Sequence, residues 1–132
     1  MVKVLIVDDE PYILRALTLL LQKEGYEVSV AHNGTEGLAK LEAERPEVAI
    51  VDVMMPGMDG LELLQRWHAQ GAEAARTRFF LLTASCEERI TAYVARCDNV
   101  HLIAKPFSPS AVVRLVRDAT RPRTAVRPAS PA

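Results

Sequence analysis

The chain is poor in cysteine, in aromatic residues and in long apolar runs, and each shortage removes a class of protein. Its two cysteines, Cys86 and Cys97, bracket one helical segment eleven positions apart. At a rise of about 1.5 Å per residue they sit ~16 Å from one another, beyond the ~7 Å reach of a disulfide. Reduced thiols in a cytoplasmic protein are the expectation. With no Cys-x-x-Cys pair, and with His32, His68 and His101 too far apart for a local metal motif, no zinc site is expected. The longest apolar runs, such as Phe79–Leu82, fall far short of the ~18 residues that cross a bilayer. The start of the chain reaches Asp8-Asp9-Glu10 too soon for a secretory signal, so no membrane partner is expected. Basic excess is also missing: Lys+Arg 16 against Asp+Glu 17 gives a net charge of -1, and no overall field draws the chain to nucleic acid.

What is present is an ordinary globular composition, 49% hydrophobic and 25% charged over 132 residues, enough for one buried core and one domain. Short apolar runs alternate with segments of helical period. Val4–Val7, Tyr26–Ala31, Val48–Val51, Phe79–Leu82 and Val100–Ala104 read as strands, most of them apolar without alternation and therefore buried on both faces. Between them lie helical stretches: one opened by Pro11, carrying Ile13, Leu14, Leu17, Leu20 and Leu21 and stopped by Gly25; one after Asn33-Gly34 carrying Leu38 and Leu41; one carrying Leu61, Leu64 and Trp67; and one over 87–96. Ala111–Val116 belongs to a last helix, with Val112, Leu115 and Val116 as its expected buried stripe. Periodicity ends there, so 1–118 is expected to be the domain and 119–132 a Pro-, Arg- and Ala-rich tail or linker without order. The tail holds Arg121, Arg123 and Arg127 and no acid, which leaves -4 on residues 1–118.

Five strands, each followed by a helix, predict an α/β fold: a doubly wound parallel sheet with helices on both faces. In such sheets the functional residues lie beyond the carboxyl ends of the strands. Those positions hold Asp8-Asp9, Asp52, Thr83 and Lys105. Carboxylates brought together on one edge repel by ~4 kcal/mol per close pair at an effective dielectric near 20, unless a cation or raised pKa values relieve them. A hard divalent ion such as Mg²⁺ suits carboxylate and carbonyl oxygens. Together with a hydroxyl and an ammonium it would neutralise a phosphoryl group in transfer. Each residue alone has a plainer use: Asp9 could cap the helix at Pro11, Asp59 the helix at Leu61, and Lys105 could be a surface lysine. All of them falling on one sheet edge is what favours a site.

The run Asp52-Val53-Met54-Met55-Pro56-Gly57-Met58-Asp59-Gly60, together with Asp8-Asp9, Thr83-Ala84 and Lys105-Pro106-Phe107, resembles the receiver domains of two-component response regulators. The resemblance covers residues ~3–118, and the separations of 31 residues from Asp52 to Thr83 and 22 from there to Lys105 agree with it. It implies a flavodoxin-like, chemotaxis-regulator-like sheet of strand order 2-1-3-4-5. It further implies that Asp52 is a phosphoacceptor served by a histidine kinase or phosphotransfer protein. Mg²⁺ would be held by Asp8, Asp9, Asp52 and the backbone carbonyl of Met54. Lys105, before a cis bond to Pro106, would pair with a phosphoryl oxygen, and Thr83 would hydrogen-bond it. The fourth helix, fifth strand and fifth helix would then carry the signal to a downstream protein, an output domain or a second copy in a homodimer. Such a domain is not an enzyme beyond its own phosphotransfer and dephosphorylation.

The chain departs from that pattern at Leu102, where receivers usually carry an aromatic residue; leucine has no ring edge with which to gate the surface. His101 beside it is expected to be an exposed strand histidine. Asp98-Asn99 stands where the family often ends its fourth helix on glycine, and Asn tolerates the left-handed conformation. Met54 and Ser85, two residues beyond the acceptor and the threonine, predict slow self-dephosphorylation, since Met54 cannot orient water. Three other readings compete. A haloacid-dehalogenase-like phosphohydrolase needs an acid where Met54 stands, and a flavin carrier would not place Asp8-Asp9-Glu10 in its phosphate loop. The alternative kept open is an atypical receiver that binds proteins independently of phosphorylation, for which Leu102 leaves room.

Overall fold

The computed structural model describes residues 1–84 and 87–120, and it has the architecture that the alternation of runs predicts. Strands β1 (Lys3–Val7), β2 (Glu27–Ala31), β3 (Val48–Asp52), β4 (Arg78–Thr83) and β5 (Val100–Ala104) alternate with helices α1 (Pro11–Lys23), α2 (Gly34–Glu44), α3 (Gly60–His68), α4 (Glu88–Ala95) and α5 (Pro109–Thr120). A short 3-10 turn at Ala72–Arg76, which periodicity did not announce, leads into β4. The strands form one sheet in the order β2-β1-β3-β4-β5, every pair parallel. This is the flavodoxin-like order. The chain moves outward from β1 to β2 and then crosses back to β3, so strand order reverses between β1 and β3, where a doubly wound sheet opens its binding crevice.

The two faces of the sheet bury separate apolar layers. Leu5, Val7, Ala49, Val51, Phe79 and Leu81 pack under α2, α3 and α4 with Leu41, Leu64, Trp67 and Ile90. Val4, Ile6, Ile50, Phe80 and Leu82 pack under α1 and α5 with Leu14, Leu17, Leu21, Val112 and Val116. Trp67 is buried, and its indole N–H donates to the Ala74 carbonyl at 3.1 Å, which ties α3 to the 3-10 turn. Gly25 takes φ +94° after α1, the left-handed position that suits glycine.

Three details differ from the periodicity reading. Leu115 is 44% exposed, and Val113 takes its place in the buried stripe of α5. The helix rolls so that residues 112, 113 and 116 meet the sheet, and Leu115 is left at the margin near Leu102 and Ile103. Asn99 is not left-handed: among the described residues, Arg45 is the one non-glycine with positive φ. Asn99 instead uses its side chain, which donates to the Thr77 carbonyl at 2.7 Å. Finally, α5 runs to Thr120, two residues past the expected boundary; the rest of the anticipated tail, like Ser85 and Cys86, lies outside the described residues. Cys97 is a free, half-buried thiol, and among the described residues no helix is long and apolar enough to cross a membrane.

Candidate functional site

Parallel register brings the strand ends level with one another. Val7 aligns with Ala31 and Val51, Asp52 with Leu82, and Thr83 with Ala104. The residues at or just past these ends therefore share one edge. Asp8 leaves β1 with its backbone N–H on the Ala31 carbonyl at 3.1 Å and its side chain wholly buried. Its Oδ1 accepts the Glu10 N–H at 2.9 Å, but its Oδ2 has no hydrogen-bond partner among the described residues. Burial pushes the Asp8 carboxyl up to about 6, and the Asp52 charge adds to the rise against the opposing Glu10 N–H and Lys105 ammonium. Asp9, the next residue, is exposed.

Asp52 ends β3 and is buried at 2% exposure. Its Oδ1 accepts the Lys105 ammonium at 2.9 Å and the Met54 N–H at 3.2 Å. Lys105 follows β5; its own N–H donates to the Thr83 carbonyl at 2.8 Å, and its bond to Pro106 is cis. Thr83, the last residue of β4, is also buried. Asp8, Asp9 and Asp52 each offer an oxygen, all within 4.8 Å of one another. Three hard oxygen donors, one of them buried without a partner among the described residues, fit a divalent cation. Lys105 alone does not offset three carboxylates.

The loop after Asp52 brings α3 close to the end of β3. Gly57 takes φ +76°. At Gly60 a Cβ would lie 2.5 Å from the Asp52 carbonyl oxygen and 2.9 Å from Val53 Cα, so only glycine lets α3 start this close to the end of β3. Asp59 caps α3 through the Glu62 N–H at 2.8 Å, as its position suggested. Asp9 does not cap α1: that position is Glu10, which makes no side-chain cap bond, and Pro11 follows at a site where no N–H is needed. Met54, two residues past Asp52, is 66% exposed.

One member of the neighbourhood was missed in the sequence. Arg89, near the start of α4, donates to Asp59 Oδ2 at 3.2 Å and to Glu87 Oε1 at 2.8 Å, joining α4 to the loop that follows Asp52. Thirty positions separate Arg89 from Asp59, and no local pattern links them. His101, by contrast, is where it was expected: exposed on β5, its ring stacked on Phe80 at 5.2 Å.

The comparisons with known proteins agree with this geometry. The family described as response regulator receiver domain matches residues 4–117. The transcriptional regulatory protein TrcR of Mycobacterium tuberculosis is 35% identical over 120 residues, which is 91% of this chain and 46% of that protein. ResD of Bacillus subtilis, also a transcriptional regulatory protein, is 39% identical over 117 residues, 87% of this chain and 46% of its own length. The chain thus spans about half the length of these relatives. The solved structure of the chemotaxis protein CheY4 of Vibrio cholerae superposes with a TM-score of 0.79 at 32% identity, covering 89% of this chain and 98% of that one. With the fold, the acidic edge and the matched family in agreement, the chain belongs to the response regulator receiver domains.

Proposed function

We propose that this receiver domain works as a phosphoacceptor switch in which Asp52 takes a phosphoryl group from a histidine kinase or a phosphotransfer protein. The observation that carries the reading is the buried Asp52 carboxylate, with one oxygen held by Lys105 and Met54, beside a buried oxygen of Asp8 that has no partner among the described residues. Asp8, Asp9, Asp52 and the Met54 carbonyl would hold Mg²⁺, which when bound neutralises charge on the phosphoryl oxygens. The carboxylate of Asp52 forms the new P–O bond as the donor's P–N or P–O bond breaks, and the donor keeps the electron pair. Lys105 turns from Asp52 Oδ1 to a phosphoryl oxygen, and Thr83 supplies its hydroxyl. The product adds about -1.5 to -2 charges at this edge. Its new contacts draw on Thr83 and Lys105, at the ends of β4 and β5, and favour a second packing of α4, β5 and α5.

That face would be read by a downstream protein, an output domain or a second copy, in the cytoplasm. The chemistry is confined to the domain's own phosphotransfer and dephosphorylation, the latter slow because Met54 cannot orient water. Incubation with acetyl phosphate and Mg²⁺ followed by intact-mass measurement tests the assignment. The parent gains one phosphoryl group, roughly 80 Da, and Asp52→Ala gains nothing. A parent that gains no mass would leave the binding-module reading, which the half-exposed Leu102 favours.

A further inference from the structure

Away from the acidic edge, α4 is fastened by a polar cluster that the switch chemistry does not use. Of the residues of α4, only Ile90 is buried. Its Tyr93 reaches across to His68, the last residue of α3, with Oη 2.7 Å from Nδ1 and the two rings stacked at 5.9 Å and 23°. His68 also meets Phe79 of β4 edge-on at 5.9 Å, and its Nε2 faces Asn99 Nδ2 at 3.4 Å in the turn before β5.

The chemistry of these partners settles the proton. Asn99 donates to the Thr77 carbonyl at 2.7 Å, which fixes its nitrogen rather than its oxygen on this side. The same NH₂ group then presents a donor to His68 Nε2, which must offer a lone pair. The ring proton is therefore on Nδ1, where it donates to the Tyr93 oxygen. Neutral His68 satisfies both neighbours at once. Burial, which lowers the His68 pKa, acts in the same direction.

We propose that His68 is a positioning residue of the phosphorylation switch, holding α4 against α3 and β4 in the resting chain through Tyr93 and so setting how readily α4 is displaced. The inference rests on the phosphoacceptor reading above. It assigns the restraint on α4 to a cluster at the opposite end of the sheet from the acceptor, in a chain whose Leu102 has no ring to supply it. Moving α4 breaks the Tyr93–His68 bond, and by linkage any change that weakens this bond makes the phosphorylated packing easier to reach.

Tyr93→Phe keeps the ring and removes only the hydroxyl. Two quantities are measured on the full chain with Mg²⁺: amide hydrogen exchange across residues 88–95 without a phosphodonor, and the concentration of beryllofluoride, an equilibrium phosphoryl mimic, at half-saturation. The expected result is faster exchange in α4 and half-saturation at a concentration about two- to tenfold lower, the range of one net hydrogen bond. On a His68→Phe background, Tyr93→Phe should add nothing further, because both act through the same contact. Unchanged α4 exchange, faster exchange with unchanged beryllofluoride binding, or effects that add in full would each overturn the proposal. A parent that gains mass from acetyl phosphate while Tyr93→Phe behaves like it would sink the His68 inference alone. A parent that neither gains mass nor binds beryllofluoride would sink the phosphoacceptor reading, and the inference with it.

Discussion

The two helices beside β5 are held by different forces. α5 buries Val112, Val113 and Val116 against the sheet and adds side contacts to the first strand–helix unit, Tyr26 Oη to Thr120 Oγ1 at 2.9 Å and Arg117 to Glu24 at 3.4 Å. α4 buries Ile90 alone, lays the half-buried Tyr93 and Val94 against the same core, and adds directional polar ties, Tyr93 to His68 at one end and Arg89 to Asp59 and Glu87 at the other. Apolar area has no substitute in water, whereas a half-exposed hydrogen bond can be exchanged for one to solvent at small net cost. A helix fastened in the first way serves as frame. One fastened in the second can be displaced without unfolding the domain.

The comparison is broken most forcefully on the framing side. Leu17 is fully buried in the layer that α1 and α5 share. Leu17→Ala should cost about 2–5 kcal/mol of global stability, read as a lower urea midpoint with an unchanged slope. The acidic edge comes next. The folded pKa of Asp8, about 6, lies above its ordinary value of 3.8. The folded state therefore holds this proton more tightly than the unfolded one. Stability from this group is greatest below about pH 4, falls as pH rises through 6, and stays low above that. Asp8→Asn should thus stabilise the metal-free chain by about 2–3 kcal/mol at pH 8 and by little at pH 4, as measured by thermal or urea unfolding at the two pH values. Added Mg²⁺ should narrow the difference at pH 8 by stabilising the parent more.

The smallest global effect is expected at α4. Arg89 is 53% exposed in its pairs, and Arg89→Ala should change unfolding free energy by less than about 1 kcal/mol. Hydrogen exchange within residues 88–95 should still quicken, and the increase should shrink in high salt, where the pair is already screened. A global loss comparable to that of Leu17→Ala would show that α4 belongs to the frame after all.

Much of this was legible before any coordinates. Three all-apolar strand runs and the turn residues between the strands gave the layers, and strand-end positions gave Asp8, Asp52, Thr83 and Lys105, because parallel register carries every strand end to the same edge. Leu115 was misread since a helical period gives the spacing of a stripe but not the roll of the helix against its sheet, and Val112, Val113, Leu115 and Val116 satisfy more than one roll. At Asn99 the tolerance for the left-handed conformation goes unused, since residue type states what a backbone tolerates, not what a nearby carbonyl, here that of Thr77, will draw the side chain to do. His68 with Tyr93, and Arg89 with Asp59, are pairs 25 and 30 positions apart across separate helices. Contacts of that kind leave no periodic trace.

Exchanging glycine for alanine inside a helix is a routine way to toughen a protein, since it favours the helix by about 1 kcal/mol. At Gly60 the same exchange would drive a methyl group into the carbonyl oxygen of Asp52. Any programme to harden this domain against heat must leave that position alone, or accept a sturdier molecule whose Asp52 has been pushed out of line with its neighbours.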